Sequence, residues 1–180
     1  GNNASSKLFK ATNGKIQEIK RTETIDSLGY FYGSITKLLG FTPHKHEGKV
    51  LGLAAHAKPE KAMKDFNKIF RYNKKLKNFE GLSQNGYYLP TFDNIFLKDL
   101  LKKYSIAEIA AATQKKLEEV VTEYINDIDK KKFDLALAGG VFSNVKLNQV
   151  IQTNKKVNKT YIFPNMGDGG LCVGAAALLL

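Results

Sequence analysis

The sequence from residue 133 to residue 144, FDLALAGGVFSN, carries the strongest indication of how this chain folds. Residues 133–138 form a short apolar run, which predicts a buried strand, and Gly139 and Gly140 end it. Residues 141–144 predict the start of a helix. A strand, a glycine turn and a helix in this order are typical of an α/β layer, in which ligands bind at the carboxyl ends of the strands.

The same order recurs near the end of the chain. Tyr161-Ile162-Phe163 predicts a second strand that ends at Pro164. Gly167-Asp168-Gly169-Gly170 follows, and a helix rich in alanine and leucine comes after it. The repeat places the chain in the α/β class.

The residues before this region predict a hairpin and several short helices. Two runs with strand propensity flank Asn13-Gly14, a pair typical of tight hairpin turns. Ser27 is a predicted N-cap, with Asp26 before it, and the helix that follows should stop at Gly40. Further helices are predicted from about residue 47 and, after Pro59, from residue 60 to about residue 69.

Residues 70–104 have weak periodicity and contain loop formers at Asn85-Gly86 and Pro90, which predicts a peripheral segment. Ser105 and Glu108 then form a capping box that opens a long helix. We expect the lysines at 130–132 to close this helix, where positive charge suits the helix dipole. The predicted apolar stripe consists of Ile109, Thr113, Leu117, Val120, Tyr124 and Ile128.

Composition narrows the class of protein. The chain has 180 residues, 43% hydrophobic and 25% charged, which is ordinary for a soluble globular protein. No apolar run is long enough to span a bilayer and the N-terminus lacks a secretory signal, so we expect no membrane partner. A single cysteine, Cys172, excludes an internal disulfide and fits a cytoplasmic location.

The net charge of +11 comes almost wholly from lysine, since Arg21 and Arg71 are the only arginines. Nucleic-acid sites usually combine arginine with exposed aromatic side chains. The lysines are instead scattered over predicted loops and helix faces, which favours solvated surfaces. We expect no nucleic-acid partner, although such a field attracts phosphate-bearing ligands.

Gly139 and Gly140 allow two interpretations. Because they lack a Cβ atom, their backbone can approach a ligand closely, and the N-terminus of the next helix adds partial positive charge. With Asn144 as a hydrogen-bonding side chain, the turn would then suit a nucleotide. The pair would equally serve as a tight connection from strand to helix, and it is not the three-glycine dinucleotide pattern.

Asp168 also allows two interpretations. An aspartate between glycines can ligate a metal or hold a cation bound to phosphate. It can also cap the final helix, and the residues alone favour the cap.

The three histidines, His44, His46 and His56, have neither a thiolate nor a regular helical spacing, so we interpret them as solvated loop residues. Cys172 is interpreted as a buried core thiol.

Five blocks of sequence occur in order along nearly the whole chain, at residues 27–32, 35–41, 47–54, 137–144 and 163–170. Together they resemble the carbamoyltransferases of the nodulation and antibiotic-tailoring type. The segment from about 70 to 104 carries none of the resemblance. The resemblance implies an actin-like ATPase fold. This fold is ribonuclease H-like and belongs to the superfamily of the sugar kinases and heat-shock chaperones. Residues 1–180 would be the second half of its nucleotide-binding domain, a fragment of a larger domain.

The resemblance also implies an activity. Such enzymes form carbamoyl-adenylate from ATP and carbamoyl phosphate, then transfer the carbamoyl group to a hydroxyl of a small acceptor such as a sugar or natural product. The implied cofactors are ATP and a divalent metal, iron (Fe²⁺) in the first place and Mg²⁺ as the alternative. No catalytic residue can be assigned.

Matched residue by residue, the resemblance assigns the binding sites. Gly167 is assigned to the nucleotide-binding residues and lies next to the metal ligand. Asp168 stands at the position of the acidic ligand of the active-site metal, which reverses the preference for a cap. The residues at the nucleoside-binding turn are Gly139, Gly140, Val141 and Asn144, and those at the block lining the ribose side of the nucleotide are Glu47, Gly48 and Lys49.

The sequence departs from the family pattern in several places. The histidine pair for the metal lies in a His-rich motif that is absent here, and His44 and His46 do not match it. Gly1 would be the end of a phosphate-binding aspartate–glycine turn, and the domain that handles carbamoyl phosphate is missing. We therefore expect this chain to be inactive by itself.

Two other functions remain open. The same fold serves as a non-catalytic nucleotide-binding or assembly module. It also serves sugar-kinase-like phosphotransferases, which need a general-base aspartate near the sugar that the sequence does not identify.

Overall fold

The computed structural model describes residues 3–81 and 95–177 and combines α-helices with short β-sheets. The chain divides into two compact units, residues 1–120 and residues 121–180. Each unit is described by itself below. None of the helices within the described residues is both long enough and apolar enough to cross a membrane.

The first unit begins with the predicted hairpin. Strand β1 (Ala4–Thr12) pairs with strand β2 (Lys15–Glu23) in an antiparallel sheet, with Thr12 opposite Lys15. The two residues between them, Asn13 and Gly14, have φ of +50° and +73°. Two-residue hairpin turns with positive φ match the right-handed twist of the strands, which explains why the Asn-Gly pair predicted this element correctly.

Three short helices follow. Helix α1 (Leu28–Leu38) begins where the Ser27 side chain accepts a hydrogen bond from the Tyr30 amide, which confirms the predicted cap. Helix α2 is Glu47–Ala54, and helix α3 is Glu60–Phe66. Helix α3 ends earlier than predicted because the next amides bond three residues back, from Lys68 to Asp65 and from Ile69 to Phe66.

The segment from about 70 to 104 contains strand β3 (Phe70–Asn73), strand β4 (Asn78–Gly81) and helix α4 (Ile95–Lys103). The sequence predicted a peripheral segment, but Phe70, Phe79, Leu97 and Leu100 are buried, so its described parts belong to the core. Strands of four residues are too short for their alternation to stand out in the sequence. The predicted loop formers Asn85-Gly86 and Pro90 lie outside the described residues.

Helix α5 (Ile106–Asn126) starts in the first unit with the predicted capping box. The Ser105 amide donates to Glu108 Oε2 at 2.9 Å, and the Glu108 amide donates to Ser105 Oγ at 3.2 Å. The predicted stripe is buried from Ile109 to Tyr124. Phe31 is also buried in the first unit, and its ring centroid lies 5.0 Å from that of Phe70 and 6.3 Å from that of Phe66.

The end of α5 differs from the prediction. The helix stops at Asn126, so Ile128 and the lysines at 130–132 lie beyond it. The last turn tightens instead, with the Asp127 amide donating to the Tyr124 carbonyl and the Ile128 amide to the Ile125 carbonyl. Bonds of this kind satisfy terminal carbonyls without side-chain charge.

The second unit contains a strand–helix–strand arrangement. Strand β5 (Phe133–Leu137) pairs in parallel with strand β6 (Val157–Ile162), and helix α6 (Val145–Gln152) connects them. Helix α6 buries Leu147 and Ile151, which lie one turn apart. Helix α7 (Leu171–Ala177) follows.

Strand β5 is less buried than predicted. Only Leu137 is buried, while Asp134 and Ala136 are exposed. The alternation arises because the described residues cover one face of the sheet with α6 and leave side chains on the other face accessible. The prediction of a buried strand, made from the apolar run, therefore overestimated the burial of β5.

Candidate functional site

The two predicted glycine turns lie side by side at the carboxyl ends of β5 and β6. The Phe163 amide donates to the Leu137 carbonyl at 3.2 Å, which continues the ladder past the end of β6. The Gly139 amide then donates to the Met166 carbonyl at 2.5 Å. Because these bonds join the loops after both strands, residues 138–144 and 163–170 form one continuous edge. The carboxyl edge of a parallel sheet is where α/β proteins bind ligands.

Gly139 has a backbone conformation that requires glycine. Its φ is +112° and its ψ is +153°, in a region that residues with a Cβ atom avoid. Among the described residues other than the chain neighbours, no atom lies within 4 Å of the positions that Cβ atoms would occupy at Gly139 or Gly140. The surface over this turn is therefore open. The Gly139 amide is taken by Met166, so it cannot donate to a ligand.

Val141 and Asn144 shape the connection to α6. Residues Gly140–Ser143 form a 3₁₀ turn, and the Val141 carbonyl accepts from the Asn144 amide at 3.2 Å. Asn144 Oδ1 accepts from the Leu147 amide at 2.9 Å and caps α6. A ligand contact through Oδ1 would share this oxygen with the cap. Local geometry thus explains Asn144 as a cap, and its predicted nucleoside contact stays a prediction.

Asp168 does not cap the final helix. It is the first residue of a 3₁₀ turn, Asp168–Gly170, whose N-cap is Gly167. The Asp168 side chain is exposed, and within residues 3–81 and 95–177 its carboxylate makes no hydrogen bond. The capping interpretation is therefore wrong, and the carboxylate is accessible to a cation.

Gly170 fixes the path of the second turn. A Cβ atom at Gly170 would lie 2.2 Å from the Asn165 carbonyl oxygen and 2.7 Å from the Phe163 ring. The Gly170 amide donates to the Gly167 carbonyl at 3.1 Å. This turn therefore excludes larger residues by contact, whereas the Gly139 turn excludes them by backbone conformation.

Glu47, Gly48 and Lys49 form the first turn of α2, in the first unit. Glu47 Oε1 accepts from the His44 amide at 2.6 Å, which holds His44 in a left-handed conformation with φ of +64°. Gly48 and Lys49 are exposed, and Lys49 Nζ lies 5.6 Å from the centroid of the Phe41 ring. In the structure the Glu47 carboxylate thus orders the preceding loop.

The three histidines and Cys172 are exposed or only partly buried. His44 and His56 are exposed, and His46 Nδ1 accepts from the Thr42 amide at 3.2 Å. The described residues contain no group of three or more histidine, cysteine, aspartate or glutamate side chains that could hold a metal ion. Cys172 is exposed, with Sγ 3.4 Å from the Gly169 carbonyl, so the prediction of a buried thiol is wrong. Within the described residues, α7 has no buried face that would cover it.

One residue near the turn was missed by the sequence analysis. Asn148 Nδ2 donates to the Phe142 carbonyl at 2.7 Å, which ties the 3₁₀ turn after Gly139 to α6. Asn148 follows Asn144 by four residues and so lies on the same side of the helix. This spacing was the only feature of the sequence that could have identified Asn148. The contact between Gly139 and the Met166 carbonyl could not have been identified, because it joins two backbone groups.

Comparison with known proteins shows a match to the family model described as carbamoyltransferase N-terminus over residues 3–177. The chain is also similar to two proteins of Methanocaldococcus jannaschii. It is 36% identical to uncharacterized protein MJ1058 over 155 residues, which is 84% of this chain and 25% of that protein. It is 35% identical to uncharacterized protein MJ1051 over 173 residues, which is 92% of this chain and 32% of that protein. The chain thus spans only about a quarter to a third of the length of these relatives.

Proposed function

The chain belongs to the family of carbamoyltransferase N-terminal domains, and on that premise we propose that it forms the nucleotide-binding part of an O-carbamoyltransferase with an actin-like fold. The whole protein would form carbamoyl-adenylate from ATP and carbamoyl phosphate. It would then transfer the carbamoyl group to a hydroxyl of a small acceptor, such as a sugar or natural product. The nodulation and antibiotic-tailoring enzymes are the members that the sequence blocks resemble.

The observation that carries the proposal is the joined pair of turns at the carboxyl edge of β5 and β6. The surface over Gly139 and Gly140 is open, so a flat nucleoside can approach the backbone there. Asp168 lies at the same edge with an exposed carboxylate. A site with an open backbone surface and an accessible carboxylate suits a nucleotide whose phosphates carry a cation.

The residues of the chain have positioning roles in this proposal. Gly139, Gly140 and Val141 provide the surface for the nucleoside, Asn144 orients the turn, and Gly167 sets the path to Asp168. The α2 block of Glu47, Gly48 and Lys49 would contact the ribose side of the nucleotide. Holding two phosphorylated compounds in one orientation removes much of the entropic part of a reaction barrier.

Asp168 fits a divalent metal as a single ligand. Its carboxylate is exposed and suits either Fe²⁺ or Mg²⁺, while the described residues hold no cluster that completes a coordination sphere. When bound, such an ion would offset negative charge on phosphate oxygens. The chain's own contribution would be to hold one carboxylate at the edge of the nucleotide surface.

The test measures pyrophosphate release from ATP by the full-length protein, with and without carbamoyl phosphate. Release that depends on carbamoyl phosphate supports carbamoyl-adenylate formation. Asp168→Asn should lower the rate by at least about tenfold, as expected when a charge-stabilising group is removed. Asp134→Asn is the matched control, because Asp134 is an exposed aspartate near the start of β5, at the end of the strand away from the turns.

Two outcomes would contradict the proposal. Phosphate transfer from ATP to a sugar without carbamoyl phosphate would identify a phosphotransferase. Absence of ATP binding by the full-length protein in calorimetry would identify a non-catalytic assembly module.

A further inference from the structure

A cleft with a volume of about 260 Å³ lies between α6 and β6 in the second unit. The lining residues of α6 have the i, i+3, i+4, i+7 spacing of one helix face. The two lining residues of β6 lie on the same face of the strand. No lining side chain is charged. The lining residues are Val145, Asn148, Gln149, Gln152, Thr160 and Ile162.

Two polar atoms of the lining are buried without a partner. Asn148 Oδ1 and Thr160 Oγ1 have no hydrogen bond within the described residues. Buried polar groups in folded proteins are nearly always hydrogen-bonded, because an unpaired one loses its bonds to water and gains none. Two such atoms in one small cleft therefore call for a common explanation.

The orientation of Asn148 is fixed by its other bond. Its Nδ2 donates to the Phe142 carbonyl, so the carboxamide must present Oδ1 as an acceptor. The Thr160 hydroxyl both donates and accepts. The partner must therefore offer a donor to Asn148 Oδ1 and either a donor or an acceptor to Thr160 Oγ1, and one hydroxyl group can meet both requirements.

We propose that this cleft binds a neutral, hydroxyl-bearing small molecule, of the size of one sugar ring. The partner is neutral because carboxamides and a hydroxyl line the cleft and no charged side chain does. Val145 and Ile162 provide apolar surface for the C–H faces of such a ring. The volume lies slightly below the range of about 300–1,000 Å³ usual for ligand pockets, which excludes a large ligand.

The cleft and the glycine turn share Asn148. Because this side chain holds the Phe142 carbonyl, a ligand that bonds to Oδ1 also fixes the 3₁₀ turn next to Gly139. The proposal does not depend on the nucleotide function, since the cleft is built from α6 and β6 alone.

The test uses saturation-transfer NMR on the full-length protein with glucose, mannose, N-acetylglucosamine and glycerol as probes, without nucleotide. We expect saturable binding of at least one probe. Glucose 6-phosphate serves as the charged comparison and should bind no more tightly than glucose. Tighter binding of the phosphate ester, or no saturable binding of any probe, would overturn the proposal.

The variant Thr160→Val tests whether the probe binds in the cleft between α6 and β6. Valine has the same shape as threonine but lacks the unpaired hydroxyl, so the variant should keep its melting temperature while binding the probe about tenfold more weakly. Thr153→Val is the matched control, because the Thr153 hydroxyl bonds to the Gln149 and Val150 carbonyls at the end of α6. Gln152→Ala, at an exposed lining residue, gives a second variant if Thr160→Val does not fold. Unchanged affinity in the variant that folds would show that the probe binds elsewhere.

Discussion

Gly139 illustrates how one backbone conformation determines a residue. The space around its missing Cβ is empty, so contact with neighbours does not exclude a side chain. Its φ of +112° does, because any L-residue is strained there. Gly140, the next residue, has the same open surroundings without a positive φ.

We predict that Gly139→Ala lowers the free energy of unfolding by about 1–3 kcal/mol, the usual cost of a strained backbone conformation. It should also weaken ATP binding, because the strained turn relaxes away from the Met166 carbonyl. Gly140→Ala is the control for stability alone and should change the free energy of unfolding by less than about 1 kcal/mol. Urea unfolding and calorimetric titration measure the two effects. Equal losses of stability in both variants would show that the backbone conformation of Gly139 is not the cause.

At the scale of elements, Asp65 joins the end of α3 to the end of α4. Its carboxylate accepts hydrogen bonds from Lys68 at 3.1 Å, from Lys103 at 3.1 Å and from the Tyr104 hydroxyl at 3.0 Å. These partners, Lys68 first, lower the pKa of Asp65 from its ordinary 3.8 to about 2. The ionised form is therefore favoured in the folded chain.

The sign of the pH effect follows from that shift. A carboxyl whose pKa is lowered by folding stabilises the native state above its unfolded pKa of about 3.9, and this contribution disappears as the pH falls towards 2. We predict that Asp65→Asn costs roughly 1 kcal/mol at pH 7, after allowance for solvent screening, and almost nothing near pH 2. Urea unfolding from pH 2 to pH 7 measures the difference.

Asp99→Asn provides the comparison for Asp65. Asp99 pairs with exposed Lys102 within α4 and joins no second element. Asp99→Asn should therefore lower the free energy of unfolding by less than Asp65→Asn does at every pH. A stability difference between wild type and Asp65→Asn that grows on acidification would contradict the assignment.

The elements that the sequence predicted well are those defined by neighbouring residues. The Asn13-Gly14 turn and the Ser105–Glu108 capping box each depend on a few adjacent positions, and both are confirmed. Strands β3 and β4 were missed because their four residues are stabilised by contacts far away, such as the Asp26 carboxylate accepting from the Gly81 amide at 2.7 Å.

The candidate site shows the same division. The two glycine turns were found from sequence because each follows its own strand. Their junction through the Gly139 amide and the Met166 carbonyl was not, since a backbone bond between distant residues leaves no mark on residue type. The cleft at Asn148 and Thr160 was missed for a related reason, because it exists only where α6 meets β6.

At the scale of the whole molecule, the net charge of +11 opposes compaction. Its lysines are spread along the chain, so their mutual repulsion acts over distances that salt screens effectively. We predict that raising NaCl from about 10 mM to about 300 mM increases the melting temperature by about 2–4 °C, which corresponds to about 1 kcal/mol. Circular dichroism measures the change.

A variant with fewer positive charges isolates this effect. Replacing Lys130, Lys132 and Lys155 with glutamate roughly halves the net charge at exposed positions. Its melting temperature should respond less to NaCl. A melting temperature that falls with salt in the original chain would show that exposed ion pairs, such as Arg71 with Glu80, outweigh the repulsion.

The exposed position of Cys172 gives this chain a convenient optical reporter. It is the single cysteine in the sequence, so a thiol-reactive fluorophore would attach at one place without any prior substitution. Its sulfur contacts the Gly169 carbonyl, in the turn that carries Asp168. A dye at this point would sense a nucleotide or cation arriving at the turn through a change in emission colour or polarisation. The same labelled sample could therefore screen many candidate ligands.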